Sequence, residues 1–314
     1  MLSTSQKFIT LKFSGCGHLL PYHLGVSSIL LDQGSKSISE TATKKQLPRI
    51  KAVSGSSAGA IAAVCFARMP HRVEEFAERF ISERGHALQT LRTMLHQEEN
   101  LLNSIDSEQF TSHVATEGKK HVPPSLHIAT TKCVDGSHHL FHFSGCVDKY
   151  SSISSAWTTD KILDAVKASC TIPQSFHPAD MIFKSQSISY SDSEGVMIDG
   201  QGHVDGGIAA PAPRTPRDDL EGSYPIIISP ISVGEPFFNS SSQKIEKRIS
   251  PRDDSWRLLP ISNLNCRGDF FIKPSVQNLR ALRMASGLVS SKELQGWYDR
   301  GIEDALRLVE DWEE

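Results

Sequence analysis

The chain has no apolar run approaching the roughly 18 to 20 residues that a membrane-spanning helix needs, so contact with a lipid surface is expected to be peripheral. Basic charge is not in excess either. Lysine and arginine total 33 against 36 acidic residues, a formal net charge of -3, which argues against a nucleic-acid partner because nothing offsets phosphate repulsion. The six cysteines (Cys16, Cys65, Cys133, Cys146, Cys170 and Cys266) form no CxxC pair. Such scatter offers neither a zinc site nor a disulfide framework and points to a reducing, cytoplasmic setting. No metal or organic cofactor is indicated. The first residues, MLSTSQKFITLKFSG, carry lysines among their apolar positions and read as a strand rather than a signal peptide.

With 314 residues, 39% of them hydrophobic and 22% charged, the chain can bury one sizeable core, and a single domain over residues 1–314 is expected. FITLKFSG followed by YHLGVSSILLDQG reads as strand, tight loop and helix. LPRIKAVSG followed by SAGAIAAVCFARM repeats that order, and the repetition specifies an α/β sheet with parallel neighbours. Helical periods run through HRVEEFAERFISERGHALQTLRTML and SIDSEQFTSHVATEG. SLHIATTKCVDGSHHLFHFSG alternates about Asp135-Gly136 as a β-hairpin, and DKILDAVKASCTIP reads as a helix stopped by Pro173. YPIIISPI is a further buried strand, and the polar stretch 234–260 is expected as a mobile insertion. In the helical segment 275–314, Leu294, Trp297, Tyr298, Ile302, Ala305, Leu306 and Val309 form one stripe expected to face the core.

Gly55-Ser56-Ser57-Ala58-Gly59 matches G-x-S-x-G between an apolar strand and an apolar helix. In that setting Ser57 is the candidate nucleophile. A sharp strand-to-helix turn pushes its hydroxyl above the sheet, glycines at 55 and 59 avoid collision with neighbouring backbone, and the helix N-terminus favours negative charge. A serine hydroxyl needs a base within hydrogen-bond reach. No histidine follows His203, so a Ser…Asp…His order with Asp205 in the middle is excluded. Asp205, in VDGG, ends an apparent strand, and Gly206 and Gly207 let the chain turn and leave the carboxylate aimed outward. Competing readings are a plain Asp-Gly turn, like Asp135-Gly136 and Asp199-Gly200, or an earlier aspartate working with His203.

FSGCGHLL is a glycine-rich loop between strand and helix, where backbone N–H groups can form an anion nest. It lacks the Lys-Ser/Thr ending of a phosphate-binding P-loop. The other reading is an oxyanion hole with donors from Gly15, Cys16 and Gly17, Cys16 acting through its amide rather than its thiol. Other motifs carry less. His138, His139 and His142 alternate along a strand and need not converge on a metal. Arg267-Gly268-Asp269 and the Asn239-Ser240-Ser241 sequon have a use only outside the cell.

Taken together, FSGCGHLLPYHLGV, GSSAG, ASCTIP and VDGG resemble the patatin-like phospholipases, and most of all the animal-type patatin-like phospholipase domain proteins. ISPRDD, NLRALRMA and GWYDRGIEDALRLV extend the likeness over nearly the whole chain. The resemblance implies a three-layer α/β/α sandwich with a mostly parallel sheet and a Ser57/Asp205 dyad with no histidine. It also implies hydrolysis of triacylglycerols or glycerophospholipids at a membrane or lipid-droplet surface, with any protein activator unidentified. One departure stands out: the family's G-x-G-x-x-G loop here has Leu20 at the last glycine, followed by Pro21. It raises the alternative of a catalytically weak lipid-surface or regulatory protein; a thioesterase or general esterase is another. His18 reads as a head-group anchor or as a solvated side chain.

Overall fold

The computed structural model describes residues 8–35, 47–83, 86–104, 123–143, 158–176, 189–214, 216, 222–232, 247–259, 264–266, 270–287 and 289–312. Along the chain the strands are β1 (Phe8–Phe13), β2 (Arg49–Ser56), β3 (Ser125–Lys132), β4 (His138–Phe143), β5 (Val196–Ile198), β6 (Gln201–Asp205), β7 (Ser223–Ile228), β8 (Lys247–Ile249), β9 (Leu264–Cys266) and β10 (Phe270–Ile272). The α-helices are α1 (Leu20–Ser35), α2 (Ala58–Arg68), α3 (Val73–Glu83), α4 (Ala87–Ser104), α5 (Thr159–Ser169), the single turn α6 (Gly206–Ala209), α7 (Val276–Ser286) and α8 (Ser291–Asp311).

Strands β3, β2, β1, β7 and β8 lie side by side and all run parallel, as the repeated strand-loop-helix order predicts. β1 and β7 are buried almost end to end, and even the polar Thr10, Lys12 and Ser223 on them are buried, Thr10 donating to the Ser223 hydroxyl at 3.0 Å. β4 and β6 pair antiparallel with β3, and β5 with β6. The β3–β4 hairpin turns at Gly136, whose φ of +65° suits a residue without a Cβ.

The register of β3 positions the site. Leu126 to Ala129 face β4 and β2 at once, and Thr130 and Thr131 face β4 and β6 at once. Since a strand has two edges, β2 and β6 must share the edge opposite β4. They run toward each other along it. Ser56, the last residue of β2, pairs with Ala129, and Asp205, the last of β6, pairs with Thr130. The two strands therefore end nose to nose, and the chain leaves both ends at one point.

Three expectations change. The helix read up to Pro173 closes at Ser169, because the next residues carry the Thr171 carbonyl to the Asp205 N–H at 2.8 Å. Part of the stretch expected as an insertion, Lys247–Ile249, is strand β8 on the sheet edge beside β7; residues 233–246 lie outside the described ones, as do 105–122. The stripe on α8 is rotated from the one read in the sequence. Leu294, Trp297 and Ala305 are buried as expected, yet Leu306 is exposed while Gly301, Asp304 and Leu308 are buried. Backbone contact with α1 sets this rotation. A Cβ on Gly301 would fall 2.2 Å from the Tyr22 carbonyl oxygen, and one on Gly25 would fall 2.1 Å from that of Tyr298. Beside this crossing the Tyr22 hydroxyl donates to Asp304 Oδ2 at 2.7 Å, and Arg307 pairs with the same carboxylate. Among the described residues no helix is long and apolar enough to cross a membrane.

In an exposed helix, Gly→Ala gains up to about 1 kcal/mol of propensity. Here Gly301→Ala should instead destabilise the protein by about 1 to 3 kcal/mol through overpacking, read as a lower urea midpoint with an unchanged slope. An unaltered or raised midpoint would show that the helices do not meet backbone to backbone.

Candidate active site

Ser57 sits where β2 becomes α2, with φ 52° and ψ -129°. For a residue with a Cβ this is strained backbone, costing on the order of 1 to 3 kcal/mol. The two glycines of the motif make the turn sterically possible. A Cβ on Gly55 would lie 2.1 Å from the Gly59 carbonyl oxygen, and one on Gly59 would lie 2.4 Å from the carbonyl oxygen of Phe13. The turn is thus packed against itself and against the end of β1.

Two hydroxyls that the motif does not display hold it there. Ser169, the last residue of α5, accepts the Ser57 N–H at 2.8 Å and donates to the Ala129 carbonyl at 2.6 Å. Ser56 donates to the Pro211 carbonyl at 2.7 Å, and the same carbonyl accepts the Gly15 N–H at 2.9 Å. One backbone oxygen therefore ties the glycine-rich loop to the serine turn.

The Ser57 side chain lies beside the Asp205 carboxylate, near enough to favour its ionised form. Asp205 is buried, and its Oδ1 accepts the Gly207 N–H at 2.7 Å. A Cβ on Gly206 would meet the Ala129 carbonyl oxygen at 2.2 Å, so glycine is required for the turn that follows the carboxylate. Desolvation pushes the Asp205 carboxyl up to about 6, against the opposing pull of its bonds from Ser57 and Gly207. His203 is engaged elsewhere: its Nδ1 lies 3.0 Å from Thr130 Oγ1, and burial brings its pKa down to about 4. Among the described residues the titratable group beside Ser57 is thus Asp205 rather than His203.

The loop after β1 turns its start toward Ser57. A Cβ on Gly15 would touch Ser57 Cβ at 3.4 Å. Of the three expected donors, Gly15 must be set aside, because its N–H is committed to Pro211. The N–H groups of Cys16 and Gly17 have no acceptor among the described residues. Gly17 is exposed, with φ +52°, and a Cβ there would fall 2.3 Å from the Ala285 carbonyl oxygen in α7. The Cys16 thiol is buried, and desolvation raises its pKa well above the ordinary range, which leaves it protonated and a poor nucleophile.

His23, on α1, completes the loop's support. Its Nε2 lies 2.8 Å from the Ser14 carbonyl oxygen, and its Nδ1 has no partner among the described residues. Burial lowers its pKa to about 4, so at neutral pH the ring carries one proton, placed on Nε2 by the only acceptor it meets among the described residues. The Ser14–Gly15 peptide is consequently held at both ends, its C=O by His23 and its N–H by Pro211. Leu20 and Pro21 do not disturb it. Leu20 is helical at φ -44°, and Pro21 lies in the first turn of α1, where a missing N–H is harmless.

The remaining histidines do not gather. The His139 ring packs against His203 at 5.1 Å and the His142 ring stacks on His127 at 4.6 Å. Among the described residues no three His, Cys, Asp or Glu side chains are placed to hold a metal ion. Arg267-Gly268-Asp269 and Asn239-Ser240-Ser241 lie outside the described residues.

Human patatin-like phospholipase domain-containing protein 4 is 23% identical over 320 residues, an alignment covering 98% of this chain and 99% of that one. The crystal structure of VipD from Legionella pneumophila is similar at a TM-score of 0.35 and 13% identity, covering 97% of this chain and 67% of that chain. Residues 11–217 match the patatin-like phospholipase family. That match takes in the glycine-rich loop, the serine turn and the Asp-Gly-Gly turn and spans more than half of the sequence, so this chain belongs to the patatin-like phospholipase family.

Proposed function

We propose that the chain is a serine acyl-hydrolase of ester lipids, with Ser57 as nucleophile and Asp205 as its base. The observation that carries this reading is the placement of a half-buried serine in a strained turn beside a buried carboxylate, at two strand ends that pair with neighbouring residues of β3. Asp205 takes the Ser57 proton as Oγ attacks the ester carbonyl. The carbonyl oxygen gains charge facing the N–H groups of Cys16 and Gly17 and the N-terminus of α2. Collapse expels the alcohol, which receives the proton from Asp205. Water then attacks the acyl-serine with Asp205 again as base, releasing the fatty acid and restoring the hydroxyl.

A carboxylate whose proton leaves near pH 6 suits this work, being ionised at neutral pH yet more basic than a solvated aspartate. The substrates we assign are triacylglycerols or glycerophospholipids, met at a membrane or lipid-droplet surface on the cytoplasmic side. Because Leu20 and Pro21 sit inside α1 rather than distorting the donors, they lend no support to a catalytically weak binder. Parallel assays on triacylglycerol, phospholipid and acyl-CoA separate the lipase, phospholipase and thioesterase readings.

Ser57→Ala and Asp205→Asn should each lower ester hydrolysis at least about a thousandfold and abolish labelling by a fluorophosphonate, with circular dichroism unchanged. Retained labelling in either variant removes the dyad. On a soluble ester, kcat/KM should rise about tenfold per pH unit below pH 6 and level off above it.

The same carboxyl gives a stability signature. Its folded pKa lies above its ordinary value of 3.8, so its contribution to stability is present at low pH and lost as pH rises through about 6, a cost of about 3 kcal/mol at neutrality. Asp205→Asn should therefore melt above the wild type near neutral pH, with the gap closing below about pH 4. A lower melting temperature at neutral pH would mean that ionised Asp205 stabilises the fold.

His23→Phe keeps a ring against Phe13 but removes the donor to Ser14. It should lower kcat by between about ten- and a hundredfold with little change in KM, because a misplaced loop weakens transition-state stabilisation rather than binding. An unchanged kcat would show that the loop holds its shape without the imidazole.

A further inference from the structure

Segment 256–259 is exposed throughout, and Trp256 is 79% accessible. It runs antiparallel to the chain entering α7: Arg257 bridges to Ser275, the Leu258 N–H donates to the Pro274 carbonyl, and the Val276 N–H donates to that of Trp256. One and two turns further along α7, on the face begun by Val276, stand Leu279 at 56% and Leu282 at 43% exposure. The result is four exposed apolar side chains, Trp256, Leu258, Leu279 and Leu282, carried on two segments fastened side by side.

This surface is held rigidly. Asp253, whose side chain is 1% exposed, accepts hydrogen bonds from Ser255 and Ser275 and pairs with Lys273. Ser255 in turn accepts the Gln277 N–H at 3.1 Å. A buried carboxylate thus fastens the Trp256 segment to the N-terminus of α7 and keeps the indole outside the core.

The charge around it is one-sided. Arg252, Arg257, Arg280 and Arg283 are exposed, and Asp254 is the only exposed acid among the described residues of 250–259 and 270–287. That is a local excess of cations on a chain whose net charge is -3. A second copy of this surface would bring like charges together, whereas an anionic lipid surface satisfies both the guanidinium groups and the interfacial tryptophan. The far end of α7 reaches the site. Its Ala285 carbonyl packs on Gly17, and the 11-residue helix is about 16 Å long.

We propose that Trp256, Leu258, Leu279 and Leu282, ringed by Arg252, Arg257, Arg280 and Arg283, form the face that docks the enzyme on a phospholipid surface carrying anionic head groups, delivering substrate along α7 to the loop at Gly17. This inference rests on the ester-lipid reading for its purpose but is tested without it. Full-length protein is sedimented with vesicles of phosphatidylcholine, with and without phosphatidylglycerol, and hydrolysis of a short soluble ester is measured in parallel. The wild type should partition onto the anionic vesicles. Trp256→Ala combined with Leu279→Ser and Leu282→Ser should partition at least about tenfold less, and Arg280→Gln with Arg283→Gln should lose the preference for phosphatidylglycerol.

Both variants should hydrolyse the soluble ester as the wild type does, since none of these residues touches Ser57. Equal partitioning of all three proteins overturns the proposal. So does a wild type that ignores vesicles but forms a dimer broken by the Trp256 triple variant, which would assign the face to a second copy. A wild type that binds anionic vesicles through these residues yet leaves every ester intact upholds the docking face and sinks the hydrolase reading instead.

Discussion

Everything in the site depends on two strands meeting end to end along one edge of β3. Because Ser56 pairs with Ala129 and Asp205 with Thr130, the distance between the serine turn and the carboxylate is set by the spacing of adjacent residues in a buried strand. Nothing flexible intervenes. The junction is also crowded, which is why glycine follows the carboxylate and why the Ala129 carbonyl is met by both Ser169 and the Gly206 backbone. A parallel sheet flanked by an antiparallel arm gives the β-strands the opposed directions such a meeting requires.

That geometry is unfavourable in itself. A serine at positive φ and a desolvated carboxylate are both costs to the folded state. They are offset by the buried sheet and by hydrogen bonds that converge on two acceptors, the Ser169 hydroxyl and the Pro211 carbonyl. The surroundings are kept electrically quiet: His23 and His203 are neutral at physiological pH, and the Cys16 and Cys170 thiols stay protonated. Asp205 therefore ionises among neutral neighbours, little screened by water.

Much of this could be read in the sequence because it rests on residue types with steric identity. Gly55 and Gly59 around Ser57, Gly206 after Asp205 and Gly17 in the loop each stand where a Cβ has no room, and glycine is visible in a sequence. What escaped were partners whose side chains say nothing. The Pro211 carbonyl belongs to no residue type, and the Ser169 hydroxyl looks like any serine at a helix end. The role expected of Gly15 as a donor failed for the same reason: its acceptor lies 196 positions away in the chain. On α8 the apolar period suggested Leu306, while the true contact face is chosen by Gly301 and Asp304, small and charged residues that hydrophobicity discounts. Leu20 departs from the family's loop pattern without backbone strain, because helix α1 begins there.

The crossing of α1 and α8 bears on how the protein is made. Tyr22 and Asp304 are 282 positions apart, and α1 is the helix that carries His23 to the loop after β1. During vectorial synthesis the loop, the serine turn and the Asp-Gly-Gly turn all emerge long before α8 does, and α1 waits with a glycine-notched face open to water. Ribosome-bound chains that have not yet extruded residues 291–311 thus hold Ser57 and Asp205 but lack the helix that packs behind α1. The support behind the loop is therefore completed only when the last helix docks.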